Sequence, residues 1–298
     1  MKKTCIIGTG NRFYYFIPIF DYLLKENYIK IEGISNKSNN FKKEIKKYTN
    51  NTFNNYELMI DKIKPDLVII LTSNEINIQI LKKIYKKVKY ICVETPLVNI
   101  NDELLKSFNN YNIHVLENWF YLPLEIIKKQ ILDSKILGDL ILAINKNRTF
   151  KYHGISQLRN YINFDKNIIF NKNKTAKYKN LELIHYEPKI NDSILSKIVL
   201  YFKEYKIISD CLIKDNQINL NIYKNNELIS IMDYTFNNKK LEYIKLIIKI
   251  NNVNHEFEWK NEFNINIDEN QYGSLKSILK FLKKNIKYSP KEHNKDMI

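Results

Sequence analysis

Arginine, cysteine and glycine are all scarce in this sequence, and each scarcity excludes something. Of 48 basic side chains only three are arginine: Arg12, Arg148 and Arg159. The formal net charge of +16 would by itself suit a polyanionic partner. A surface built to read phosphates or base edges favours arginine, whose planar fork binds them through paired hydrogen bonds. Here the charge is almost all lysine, spread along the chain and accompanied by abundant asparagine and isoleucine. That is the pattern of a coding bias, and nucleic acid is not expected as a partner. The three cysteines, Cys5, Cys92 and Cys211, form no CxxC pair. Cys5 and Cys92 sit in apolar strand-like runs, which makes them buried thiols of a reducing compartment. No histidine and cysteine spacing fits zinc, so no metal is expected. No apolar run is long enough to span a membrane. The one near the start is too short for a signal peptide. A cytoplasmic protein without membrane contact is expected.

What is present is an alternation. The chain has 298 residues, 44% hydrophobic and 27% charged, enough for two medium domains with real cores. Strand-like runs at Thr4–Gly8, Ile29–Ser35, Asp66–Leu71, Val88–Val93 and Ile113–Leu116 are separated by helical patterns. The helical patterns are Phe13–Glu26, Phe41–Tyr48, Tyr56–Lys64, Glu75–Lys86 and Asn101–Phe108. Strand and helix in turn mean crossover units and a parallel sheet. After residue 118 the pattern changes. Helices are expected at Leu122–Ser134 (with Gly138 near its C-terminal cap), Gly154–Asn163 and Tyr272–Asn285, and a strand at Leu140–Arg148. Between Lys197 and Lys260 several strand-like runs are broken by turns such as Asn237–Lys240 and Asn251–Asn252. The fold class is α/β: a doubly wound Rossmann sheet over residues 1–118, then an α+β domain with a mainly antiparallel open sheet over residues 119–298.

Two of the six glycines, Gly8 and Gly10, fall between the first strand and the first helix. There the first allows a tight turn, and the second lets backbone N–H groups approach a pyrophosphate at the helix N-terminus. The third glycine of GxGxxG is replaced by Phe13, which must displace the helix or point elsewhere. The second strand ends in Ser35, Asn36 and Lys37, without the acidic residue that usually holds NAD ribose hydroxyls. Those three residues, helped by Arg12, could hold a 2′-phosphate, so NADP is favoured over NAD.

The order and spacing of several segments resemble the glucose–fructose oxidoreductase (Gfo/Idh/MocA) family. These are IIGTGNRF, LTSNEIN, VETPL at Val93–Leu97, HVLENW at His114–Trp119, and LDSKILGDL. The resemblance implies a nicotinamide cofactor over the strand ends, contacted by Gly8, Gly10, Asn11 and Arg12 and lined by Thr72, Ser73 and Asn74. Glu94 would approach the nicotinamide ribose, with Thr95 beside it and Pro96 in a cis peptide. Asn118 and Trp119 would face the substrate, which would sit between the nicotinamide and the second sheet. Thr95 stands where the family's EKP signature has lysine, and a threonine hydroxyl is no proton source near neutral pH. The family's later histidine is not plainly matched: one alignment by glycine puts Ser156 at its position, with His153 three residues earlier.

Among five histidines, His114 and His293 read as structural or solvated; the His185, Tyr186 and Glu187 cluster could line the same cleft as His153 but reads rather as a loop. His153 precedes a rare glycine, and a rare arginine, Arg159, follows six residues later. His153 is the candidate general acid/base, with Tyr152 as the alternate donor. A capping or packing histidine is the plain alternative. Arg159 could bind an anionic substrate group or pair with a carboxylate. The sequence thus points to an NAD(P)-dependent oxidoreductase acting on a small polar substrate: a sugar, cyclitol, nucleotide sugar or imine. The alternative is a catalytically inactive dinucleotide-binding sensor or scaffold. By analogy with related proteins, the late sheet could also mediate a homo-oligomer.

Overall fold

The computed structural model describes residues 1–38, 41–146, 151–165, 167–178, 180–187, 197–211, 216–238, 240–284 and 286–297. They form two compact units: Met1–Glu117 with Ser274–Asn294, and Asn118–Gly273 with Lys295–Ile298.

The first unit holds β1 (Lys2–Ile7), α1 (Asn11–Lys25), β2 (Ile29–Ser35), α2 (Lys43–Lys46), β3 (Thr52–Phe53) and α3 (Tyr56–Ile63). Then come β4 (Leu67–Ile70), α4 (Asn74–Ile84), β5 (Tyr90–Val93), α5 (Asp102–Phe108) and β6 (Asn112–Val115). The strands form one parallel sheet in the order β3-β2-β1-β4-β5-β6. This is the doubly wound arrangement, and its order reverses between β1 and β4. β4 is buried along its whole length, as its continuous branched apolar run predicts. α1 buries Phe13, Phe16, Ile19, Phe20 and Leu23, a helical-period stripe against the sheet. α3 is capped by Asn55, whose Oδ1 accepts from the N–H groups of Glu57 and Leu58. The Lys-rich stretch expected to be a full helix forms only the four residues of α2, since Ile45 alone is buried there.

The second unit carries α6 (Pro123–Ser134), β7 (Leu142–Lys146), α7 (Lys151–Tyr161), β8 (Thr175–Tyr178), β9 (Leu181–Tyr186), β10 (Lys197–Tyr201) and β11 (Tyr205–Asp210). It continues through β12 (Leu220–Lys224), β13 (Glu227–Leu228), β14 (Ser230–Asn237), β15 (Lys240–Ile250) and β16 (Val253–Lys260). Seven strands pair in the order β13-β12-β11-β10-β7-β9-β8, antiparallel except for β7 with β9. β14, β15 and β16 form a separate antiparallel sheet. Arg148, at the end of the strand expected over Leu140–Arg148, lies outside the described residues, as does Lys239 in one expected turn. The cap after α6 is Lys135 in the left-handed region, not Gly138. In a chain so poor in glycine, asparagine takes the left-handed positions. It supplies ten of the fourteen described non-glycine residues with positive φ, including both Asn251 and Asn252 in the β15–β16 turn.

α8 (Glu269–Lys284) and α9 (Pro290–Asp296) close the chain. The sequence pattern divides the chain once, at residue 118; in the structure Ser274–Asn294 groups with the first unit. Phe281 stacks on His114 and meets the edge of Tyr90. The Tyr288 N–H donates to His114 Nδ1 at 2.9 Å, so the proton sits on Nε2, which donates to Ser277 Oγ at 2.8 Å. Burial holds this neutral ring's pKa down at about 3. In the second unit, a buried network ties α6 to α7 and β11. Lys128 reaches Glu125 at 2.5 Å and Ser209 at 2.9 Å, and the Tyr161 hydroxyl donates to Glu125 at 2.6 Å. The three cysteines are free and buried. Among the described residues, no helix is long and apolar enough to cross a membrane, and no group of three or more His, Cys, Asp or Glu could hold a metal.

Candidate functional site

The two glycines of the loop after β1 have different surroundings. Gly8 has φ of 101°, and a Cβ there would lie 2.6 Å from the Leu71 carbonyl oxygen and 2.9 Å from Thr72 Cγ2. Its N–H donates to the Ser35 carbonyl at 2.9 Å, which clamps the turn to β2. Only glycine fits. Gly10 is different: it caps α1 with φ of −77°, and a Cβ there would meet nothing within 4 Å among the described residues. Gly10 brings no side-chain cap to α1, and no acidic residue lies in the first turn. The positive end of a helix dipole favours a negative charge. Between the glycines, the Thr9 hydroxyl is buried without a hydrogen-bond partner among the described residues.

Phe13 points elsewhere, away from the loop. Its buried ring packs against Phe20 at 5.5 Å and Tyr48 at 6.1 Å, so the aromatic bulk fills the layer beneath α1. Ser35 is buried. Asn36 donates to Ser38 Oγ, and Lys37 is exposed, with no carboxylate among the three. Arg12 is the residue expected to help hold a 2′-phosphate. Its guanidinium sits 2.9 Å from Glu94 Oε1 and lies over the rings of Tyr15 and Phe16. Glu94 is 8% exposed, and a carboxylate that buried needs a cation.

At the ends of β4 and β5, the Thr72 hydroxyl donates to Asn77 Oδ1 at 2.6 Å, and Asn77 Nδ2 donates to the Glu94 carbonyl at 3.0 Å. Asn77 was not singled out from the sequence, although an asparagine on the buried face of α4 is the available signal. Ser73 caps α4 and Asn74 begins it, Ser73 without a side-chain capping bond. The Thr95–Pro96 peptide is cis. The next residue, Leu97, donates its N–H to His293 Nε2 at 3.0 Å. His293 is fully buried in α9 and braces this loop, a structural use of a residue that the sequence places in a tail.

In the second unit, the candidate residues gather on α7 and just before α6. The His153 ring stacks on Trp119 with centroids 4.7 Å apart and an interplanar angle of 15°, and Tyr152 lies against it at 4.1 Å. Ser156 donates its hydroxyl to the His153 carbonyl, a bond back along the helix. Asn118 Nδ2 donates to the Asn270 carbonyl at 3.1 Å, and a Cβ at Gly273 would lie 2.7 Å from the Asn118 oxygen. Asn118 therefore holds the start of α8. Arg159, one candidate for a substrate anion, is 1% exposed and pairs with Asp296 at 2.6 Å. Of the two options open in the sequence, pairing with a carboxylate is the one the structure contains. His185 is also reassigned: it lies on β9, not in a loop, buried beside Asn145 and against Gly154 of α7.

Residues 2–113 match the family model described as an oxidoreductase family with an NAD-binding Rossmann fold. Over that segment the sequence is similar to the Gfo/Idh/MocA family. No curated protein matches the sequence. Among solved structures, an oxidoreductase from Agrobacterium radiobacter in complex with NAD+, L-tartaric acid and magnesium is 12% identical with a TM-score of 0.64, covering 99% of this chain and 93% of that one. Levoglucosan dehydrogenase in complex with NADH gives 10% identity and 0.67, covering 99% and 95%. An oxidoreductase from Bacillus cereus gives 14% and 0.65, covering 100% and 94%. These likenesses show that the two-domain fold extends along the whole chain. At such identity they show the fold alone, and the sequence likeness to the Gfo/Idh/MocA family is that of residues 2–113.

Proposed function

We propose that this Gfo/Idh/MocA-type protein is an NADP-dependent oxidoreductase acting on a small polar substrate. The observation that carries the reading is the Gly8–Gly10 loop. Gly8 is enforced by φ and by the Leu71 carbonyl, whereas nothing among the described residues enforces Gly10. A glycine with free space at an uncapped helix N-terminus suits a pyrophosphate. The residues fit a dinucleotide: Gly8, Gly10 and Asn11 for the pyrophosphate, Thr72, Ser73 and Asn74 along it, and Glu94, Thr95 and Pro96 at the ribose. The end of β2 carries Ser35, Asn36 and Lys37 with no carboxylate, which favours a 2′-phosphate over a free ribose hydroxyl. When bound, the nicotinamide supplies the hydride chemistry.

The chain's own residues supply the proton. His153, held flat by Trp119, is the proposed acid/base for the substrate heteroatom, with Tyr152 as the alternate donor. Asn118 and Trp119 form the proposed substrate side. A sugar, cyclitol, nucleotide sugar or imine is the proposed substrate class. The test is NADPH turnover across such a panel. Turnover with any member supports the reading, and binding of NADPH without turnover supports the second one. That second reading, a catalytically inactive dinucleotide sensor, is favoured by Thr95 at the lysine position and by the Ser156 hydroxyl being turned into its own helix.

A further inference from the structure

Arg12 and Glu94 come from opposite sides of the point where the strand order reverses. Arg12 is the second residue of α1, directly after β1, and Glu94 follows β5. β4 lies between those strands, so their ends are about 10 Å apart at ordinary strand spacing. The 2.9 Å ion pair therefore crosses the C-terminal end of β4, the crevice where open α/β sheets take their ligands. Glu94 is also fixed through its backbone: its N–H donates to the Ile70 carbonyl and its own carbonyl accepts from Asn77. Arg12 is the more exposed partner, 33% against 10% for the side chains. It is the member able to move.

We infer that the Arg12–Glu94 pair is a latch over the dinucleotide crevice, opened when a diphosphate takes Arg12 from Glu94. This rests on the dinucleotide reading given above. A diphosphate at the α1 N-terminus brings at least two negative charges to Arg12, and a guanidinium binds phosphate oxygens bidentately. Release of Arg12 frees Glu94 to accept from ribose hydroxyls. Closure of the pair without ligand opposes binding, and one movement couples the pyrophosphate end of the site to the ribose end.

The probe is ADP, which carries the diphosphate but lacks the nicotinamide ribose, titrated calorimetrically into the full chain. Glu94→Gln is nearly isosteric and removes the competitor, so ADP binding should tighten roughly fivefold, the scale of a partly exposed ion pair. Removing a nearby negative charge could tighten ADP binding by field alone, so the cycle is completed with Arg12→Gln. In that background only the field effect remains, so the latch predicts a clearly smaller gain from Glu94→Gln. A gain undiminished without Arg12, or no gain with Arg12 present, overturns the latch. A second readout needs no change at Glu94. With three arginines in the chain, the Arg12 Nε–H signal can be assigned by its loss in Arg12→Gln, and it should shift when ADP is added to the unaltered protein. An unmoved signal at saturating ADP overturns the latch alone. If the unaltered protein binds neither ADP nor NADP+, the dinucleotide reading falls and the latch with it.

Discussion

Replacing Gly8 and Gly10 one at a time by alanine should separate a glycine the fold needs from one a ligand needs. At Gly8, φ of 101° alone costs an alanine about 1–2 kcal/mol. The new methyl would also lie 2.6 Å from the Leu71 carbonyl oxygen, a backbone atom at the end of buried β4 that cannot rotate away. Together these should cost roughly 3 kcal/mol or more, a fall in Tm of roughly 6 °C or more for a unit of this size. At Gly10, φ of −77° is open to alanine and the methyl meets nothing. Loss of chain entropy favours alanine slightly, its poor capping disfavours it slightly, and stability should stay within about 0.5 kcal/mol. On the proposed reading, the same methyl occupies the space where a pyrophosphate approaches the backbone. NADPH affinity should fall at least about tenfold, or about 1.4 kcal/mol. Urea unfolding and NADPH fluorescence titration measure the two effects separately. A Gly10→Ala protein that binds NADPH as the unaltered one does would refute the assignment of this loop to a dinucleotide.

Other outcomes follow from the same physics. His153→Ala should lower turnover by about a hundredfold or more while NADPH binding survives, and unchanged turnover would remove His153 from the mechanism. His114 titrates near 6.5 in the unfolded chain and at about 3 when buried. Between those values only the unfolded state takes up the proton. Its contribution to stability is complete above pH 6.5 and is lost as pH falls towards 3, by up to about 1.4 kcal/mol per unit. The urea midpoint should show that slope, and a His114→Asn protein should show a shallower one. Asp296→Ala leaves Arg159 buried without its carboxylate and should cost about 3–5 kcal/mol in urea unfolding. A loss below about 1 kcal/mol would mean that the pair is not buried in solution.

The Rossmann half is legible because its strands are short continuous apolar runs and its helices carry clear periods. Gly8 and Gly10 stand out against a chain that uses glycine six times. The second unit is harder to read. β8 and β9 lie in the stretch TAKYKNLELIHY, where lysine and asparagine interrupt any alternation, and His185 therefore reads as loop. The partners of the rare arginines are also beyond sequence reasoning. Arg12 finds Glu94 across 82 residues and Arg159 finds Asp296 across 137, and no local spacing encodes either pair. The period of α8 predicts a helix with an apolar face, but not that Ser277 and Phe281 on it would pack on His114 of the first unit. Phe13 shows the opposite case. Its clash with the glycine-loop pattern is visible in sequence, and its resolution, a ring turned onto Phe20 and Tyr48, needs the fold.

The central claim is tested most directly by titrating the purified, folded protein with NADPH and with NADH while following nucleotide fluorescence. The account predicts saturable binding of both, with NADPH tighter because the end of β2 offers Ser35, Asn36 and Lys37 and no carboxylate. Binding of neither would contradict it, and the oxidoreductase reading would be dropped.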